Sequence, residues 1–212
     1  MATALDYRNL AEAQFRLSME APPLFFAANA DLVSQACFAM AQRFHRGGRL
    51  MVFGAGSSVT DAQHVAVEFV HPVIVGKRAL PALALTNDIA TVLGLAGGDG
   101  LAEIFARQLR LLGTATDIAM GLTTVDYDQS IARGLQTARE MGMLTIAMCA
   151  AGPNVVTGPN GVTGPNGFID ANYCFTVPCD NPHVVQEVQE TTYHILWETV
   201  HVFFEHQGLL ES

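Results

Sequence analysis

Five largely apolar runs of four to six residues recur along the chain, each followed by a break of small or polar residues. They are Leu50–Phe53, Ala82–Leu85, Ile118–Leu122, Leu144–Cys149 and Tyr173–Val177. With little polar alternation, such runs read as strands buried on both faces of a parallel sheet. Helical periodicity fills the intervals. It predicts helices over about 88–95 and 101–112, the latter turning Ile104, Phe105, Leu109 and Leu112 inward. A further helix runs from the Asp126–Ser130 region to about Met141, and a long one opened by Pro182 reaches about His206. Ahead of the first strand, helices are expected over 3–20 and 29–46, separated at Pro22-Pro23 and closed by Gly47-Gly48. Alternating strands and helices with short links imply an α/β, doubly wound five-stranded parallel sheet flanked by helices, with an N-terminal helical arm. One domain is expected over 1–212, with residues 1–47 as the arm and 48–212 as the core.

One interval departs from this alternation. Residues 150–167 are rich in Gly, Pro and Asn and contain a direct repeat, Val156–Gly161 followed by Val162–Gly167. That composition predicts a flexible loop without chemistry, and two copies are too few for a solenoid.

Composition narrows the class. Half of the residues are hydrophobic and 15% are charged, and the net charge is −9. This charge excludes nucleic acid as a direct partner, because phosphate backbones require Lys and Arg. The mean hydropathy of +0.27 is high for a soluble monomer, so apolar surface is expected between subunits. No apolar run approaches the roughly 18–20 residues of a membrane span. The N-terminus, MATALDYRNLAEAQ, lacks the basic-then-apolar order of a secretion signal. The four cysteines, Cys37, Cys149, Cys174 and Cys179, form no CxxC pair, and Cys149 and Cys174 read as buried reduced thiols. A cytoplasmic protein with no membrane partner is expected.

Chemistry concentrates in Leu50 to Pro72, LMVFGAGSSVTDAQHVAVEFVHP. After the strand, Gly54 and Gly56 permit a sharp turn and a close approach of ligand to backbone. Ser57 and Ser58 fall at the N-cap and first turn of the next helix, where free N–H groups and the helix dipole suit an anion. His64 and Glu68 are four apart and share a helix face, a candidate metal or acid–base pair. Glycines after a strand occur throughout α/β folds, and this run is neither a dinucleotide fingerprint nor a P-loop. A His and a carboxylate at this spacing also form ordinary hydrogen-bonded pairs. In a doubly wound sheet, ligands bind beyond the carboxyl ends of strands where connections diverge. The loops Gly54–Ser58 and Thr123–Ser130 both fall there.

The segment GAGSSVTDAQHVAVEF resembles the first loop and helix of the sugar isomerase (SIS) domain, within it the phosphoheptose isomerase branch. The resemblance continues through PALALTND, EIFARQLRLLG, DIAMGLTT and VQEVQETTYHIL, covering about 30–206. It implies a divalent metal, usually zinc, held by a His and a Glu four apart and a Gln and a His eight apart. His64, Glu68, Gln186 and His194 match those positions. It further implies conversion of a ketose phosphate to an aldose phosphate through an enediol, with Glu68 as candidate base and His194 as candidate acid. The metal and acid–base roles compete for the same residues. Gly56, Ser57, Ser58, Thr123, Thr124, Ser130 and Asp99 are the implied substrate-binding positions. A homotetramer is implied as well.

The sequence departs from the branch where phosphate should sit. The loop after the third strand reads TTVDYDQS, so Asp126 and Asp128 stand where hydroxyl and glycine residues are expected. Helix capping accounts for an Asp there equally well. The expected first-loop Asn is Ala55, the expected Arg after the metal Glu is Pro72, and the expected Asp before the last-helix Gln is His183. Two further readings follow: a non-catalytic SIS protein with a binding or regulatory role, and a metal-dependent enzyme on an unphosphorylated substrate.

Overall fold

The structure is a computed structural model and describes residues 4–152, 156–158, 161–164, 167–206, 208 and 210. Strands β1 (Leu50–Gly54), β2 (Ala82–Ala84), β3 (Ile118–Leu122) and β4 (Leu144–Ala150) fall on predicted runs. The fifth run forms the last strand, β8 (Tyr173–Val177), because β5 (Val156–Gly158), β6 (Gly161–Gly164) and β7 (Gly167–Ile169) precede it. The main sheet has the order β2-β1-β3-β4-β8, and every pair in it is parallel. Because β2 and β3 lie on opposite sides of β1, the connections diverge between β1 and β3. The loops after these strands are therefore neighbours at the carboxyl edge.

Each strand divides its side chains between two cores. Leu50, Val52, Ile118, Met120, Ile146 and Phe175 pack with α1 (Ala4–His45), α2 (Ser58–Val70) and α6 (Pro182–Glu205). Met51, Phe53, Ala119 and Ala147 pack with α4 (Ile104–Leu112) and α5 (Gln129–Glu140), with α3 (Ile89–Gly98) at the rim. A short 3₁₀ turn, Leu101–Glu103, precedes α4. Leu112, expected inward, closes α4 and is 41% exposed. All four cysteines are free, with Cys149 buried and Cys174 half-buried on adjacent strands.

The N-terminal arm is one helix rather than two. α1 continues through Pro22 and Pro23 over 42 residues. Proline removes the N–H that would bond the carbonyl four residues earlier, here those of Ser18 and Met19. Met19 is exposed, and packing on both sides of the prolines holds the helix: Ala21 and Phe25 are buried, with Phe25 beside Phe175 at a centroid distance of 6.5 Å. By length and composition α1 could cross a membrane, contrary to the expectation of no such run. Its second half is committed to the core, however, through Val33, Ala36, Cys37, Met40 and Phe44. Its first half leaves Tyr7, Leu10, Phe15 and Met19 at least 60% exposed.

The repeat also differs from expectation. It forms a small antiparallel sheet, with Gly158 opposite Gly161 and Gly164 opposite Gly167. A doubled Val-Thr-Gly-Pro-Asn-Gly unit supplies strand residues and turn punctuation alternately, which makes successive hairpins. The link residues Pro159-Asn160 and Pro165-Asn166 lie outside the described residues.

Candidate functional site

The loop after β1 is shaped by one close approach. A Cβ on Gly54 would lie 2.0 Å from the Ser58 carbonyl oxygen, so only glycine lets the strand end meet the first turn of α2. Gly56 follows at φ +60, in the left-handed region. The Ala55 N–H bonds the Leu122 carbonyl at 3.1 Å, and the Ser57 and Thr124 hydroxyls lie 3.3 Å apart, joining the two loops as the topology requires. Ser57 occupies the N-cap of α2 in a helical conformation, and its side chain makes no capping bond. The Ser58 hydroxyl is buried without a hydrogen-bond partner.

A cavity of about 390 Å³ opens beside these loops. Gly54, Gly56 and Ser130 line it along with Val59, Ile89 and Phe105. Asp128 lies in its wall and caps α5: Oδ1 accepts from the Ser130 N–H at 2.8 Å, the Ile131 N–H at 3.1 Å and the Ser130 hydroxyl at 2.6 Å. Its own carboxylate thus uses the donors that an anion would need at that helix end. Thr123 is buried, with its hydroxyl accepting from the Val125 N–H. Asp99 stands apart from the cavity in a bidentate pair with Arg107, at 2.8 and 3.1 Å. The Arg107 guanidinium holds its carboxyl below the usual range.

The second feature lies where α2 faces α6. His64 Nε2 is 3.4 Å from Glu68 Oε1, and His64 Nδ1 is 3.0 Å from the Tyr193 hydroxyl and 3.7 Å from Glu190 Oε1. The His64 and His194 rings are 5.3 Å apart between centroids. His64, Glu190 and His194 each offer one donor atom, all within 4.8 Å of one another. Gln186 donates its Nε2 to both oxygens of Asp61, at 3.1 and 2.9 Å. Burial raises the Asp61 carboxyl, opposed by the Gln186 hydrogen bond; Glu190 adds to the rise and His64 counters it. Burial likewise raises the Tyr193 phenol, reinforced by Glu190, Asp61 and Glu68. α6 is tied to the β3 loop by Gln189, which donates to the Thr123 carbonyl at 2.8 Å.

The structure thus gathers His64, Glu68 and His194 at one interface and holds Gln186 at its edge. It brings Gly56, Ser57, Thr124 and Ser130 to the joined loops, and it leaves Asp99 outside both groups. Glu190, Asp61 and Tyr193 were missed from the sequence. Glu190 had a readable signal, since it lies midway between Gln186 and His194 at successive four-residue steps. Two imidazoles, carboxylates and an amide oxygen form a mixed N/O donor set that fits zinc or a similar divalent cation.

A family model described as SIS domain matches residues 23–150, more than half of the chain. A phosphoheptose isomerase from Thermodesulfovibrio yellowstonii is 31% identical over 183 residues, covering 85% of each chain. One from Aquifex aeolicus is 35% identical over 186 residues, covering 88% of this chain and 92% of that protein. The solved structure of a phosphoheptose isomerase from Francisella tularensis superposes with a TM-score of 0.77 at 29% identity, covering 94% of this chain and 98% of that one. The shared parallel sheet, its paired carboxyl-edge loops and these matches over most of the length agree: the chain belongs to the SIS domain family, in its phosphoheptose isomerase branch.

Proposed function

We propose that the chain is an aldose–ketose isomerase that acts on a phosphorylated sugar similar to sedoheptulose 7-phosphate. The observation that carries this reading is the convergence of His64, Glu68 and His194 where α2 meets α6, in a chain of the phosphoheptose isomerase branch. Glu68 is the candidate base. Its side chain is 14% exposed, partly shielded yet open to a substrate C–H. A carboxylate there takes a proton from the carbon beside the carbonyl and returns it to the neighbouring carbon.

His64 and His194 are the imidazole donors for a divalent cation, with further donors drawn from Glu68, Glu190 and Gln186. Zinc is the favoured ion for this donor set. When bound, the cation supplies a Lewis acid beside the sugar oxygens. His194 cannot hold a cation and donate a proton through the same nitrogen, so the ligand role is assigned to His194 and proton transfer to Glu68. Asp61 orients Gln186 by accepting from its Nε2 with both carboxylate oxygens, which leaves Gln186 Oε1 as the ligand atom.

The sugar phosphate is assigned to the joined loops of Gly56–Ser58 and Thr123–Ser130. A homotetramer fits the exposed apolar residues on the first half of α1, and a cytoplasmic location fits a soluble sugar-phosphate enzyme. The test is elemental mass spectrometry of the purified protein beside a His64→Ala/His194→Ala double variant, followed by an isomerisation assay. The reading expects about one zinc-like ion per chain, lost in the double variant together with isomerisation. A chain that binds no metal and turns over no ketose phosphate would instead fit a non-catalytic binding role.

A further inference from the structure

We infer that a second cavity, built on the exposed stripe of α5, is a binding site for an uncharged, hydroxyl-rich ligand of the monosaccharide class. It is separate from the groups between α2 and α6, and it does not depend on the isomerase reading.

This cavity holds about 420 Å³, within the roughly 300–1,000 Å³ of small-molecule sites. Gln129, Arg133 and Gln136 line it from α5, where steps of three and four residues put them on one face. The 3₁₀ turn brings Glu103 to them, the loop after β3 brings Tyr127, and Asp170 closes the far end just after β7. The wall at Ala102 and Gln129 is shared with the loop-side cavity, so the two adjoin without merging.

Hydrogen bonds hold the polar groups in place. Arg133 Nε donates to Glu103 Oε1 at 2.7 Å, and its Nη1 donates to Gln136 Oε1 at 3.2 Å. Arg110 Nη1 donates to Glu103 Oε2 at 3.2 Å, and Gln136 Nε2 donates to Glu140 at 3.1 Å. Asp170 pairs with Arg139. The Arg133 guanidinium holds the Glu103 carboxyl below its usual range, so the pair stays charged. Among the described residues, Arg133 Nη2, the Gln129 amide and the Tyr127 hydroxyl have no hydrogen-bond partner.

The lining therefore combines carboxylate acceptors, a guanidinium donor, and amide and phenol groups that do both. A hydroxyl also both donates and accepts, so hydroxyls on neighbouring ring carbons can bond to neighbouring members of this set. Each carboxylate is already matched by a guanidinium. An added anion would meet Glu103 and Asp170, an added cation would meet Arg133, and neither would gain net attraction. A wholly apolar ligand would cut the polar groups off from water without replacing its hydrogen bonds. Tyr127 adds an aromatic ring, a surface suited to the C–H face of a sugar.

The test is saturation-transfer NMR and calorimetric titration of the full chain with glucose, galactose and mannose, beside the variants Gln136→Trp and Arg133→Gln. Both positions line this cavity and not the loop-side one. Gln136 is exposed on α5, so a tryptophan there fills the cavity without entering the core, and thermal melts check both folds. At least one of the three sugars is expected to bind the unsubstituted chain, and both variants are expected to weaken it by at least about tenfold. Gln136→Trp alone decides the matter if Arg133→Gln melts early. The uronic acid and the amino sugar of the same ring, one anionic and one cationic, are expected to bind at least about tenfold more weakly than the neutral sugar. No binding of any of the three sugars at tens of millimolar overturns the site, as does binding that Gln136→Trp leaves unchanged. Equal affinity for the uronic acid or the amino sugar overturns the ligand class.

Discussion

Replacing Gly54 by alanine is the smallest change that should disturb fold and site together. The added Cβ would meet the Ser58 carbonyl oxygen at 2.0 Å, its carbon at 2.5 Å and the Val59 nitrogen at 3.0 Å. All three are backbone atoms, so no side chain can swing aside. An ordinary carbon–oxygen contact is ~3.3 Å, so the first turn of α2 must retreat by roughly 1.3 Å. Overpacking of this kind costs about 1–3 kcal/mol. In a chain of this size each kcal/mol lowers Tm by about 2–4 °C, which gives a drop of roughly 2–12 °C. The same retreat moves Ser57 and Ser58 and drags on His64 and Glu68 further along α2. A misplacement near 1 Å can cost about 100-fold in rate. Gly94→Ala provides the contrast: Gly94 lies in exposed α3 with nothing within 4 Å of the added Cβ. That change should stabilise by about 0.5–1 kcal/mol through helix propensity. Calorimetry and kcat/KM on a ketose phosphate measure both. Wild-type Tm and activity in Gly54→Ala would refute the steric account of the loop.

Asp117, which is 1% exposed, links β3 to β1 through Arg49. It accepts from the Arg49 N–H at 2.8 Å, Arg49 Nη2 at 3.0 Å and the Thr114 N–H at 2.9 Å. Burial alone would raise this carboxyl, but the Arg49 and Thr114 donors outweigh it and hold it below the usual range. A depressed carboxylate adds stability above the unfolded value of about 3.9, and that stability is lost as pH falls through the folded value. Asp117→Asn should cost about 2–3 kcal/mol at pH 7 and flatten the acid limb of a Tm-versus-pH curve; an unchanged acid limb would count against the assignment. Asp128→Ser keeps a capping oxygen and removes a charge from the cavity wall. Like charges about 4 Å apart at an effective dielectric near 20 repel by a few kcal/mol, and solvent exposure reduces this to roughly 1.4 kcal/mol. Inorganic phosphate should therefore bind about tenfold more tightly, as read by calorimetric titration; equal affinity would mean that phosphate sits elsewhere.

The strands were legible because each is a short apolar run between glycine or polar breaks, and Ile118–Leu122 was placed to the residue. The continuity of α1 was not, because the prolines signal a break and only tertiary packing of Ala21 and Phe25 overrides it. The hairpins of the repeat were hidden by a composition shared with irregular loops. At the site, the four-residue step from His64 to Glu68 predicted neighbours on one helix face, and they lie 3.4 Å apart. Which ring nitrogen faces which helix depends on side-chain rotamers that spacing does not encode. Glu190 and Tyr193 emerged only when α6 was set against α2. The Asp128 cap could be read either as a cap or as a flaw in a phosphate loop, and its hydrogen bonds show a cap.

The most direct measurement is NMR of sedoheptulose 7-phosphate in D₂O with the zinc-loaded protein, following both deuterium at the carbon beside the carbonyl and the aldose product. Proton transfer through an enediol predicts aldose formation with solvent deuterium entering that position. Glu68→Gln should abolish both. Neither exchange nor aldose from the zinc-loaded wild-type chain would contradict the proposed isomerase.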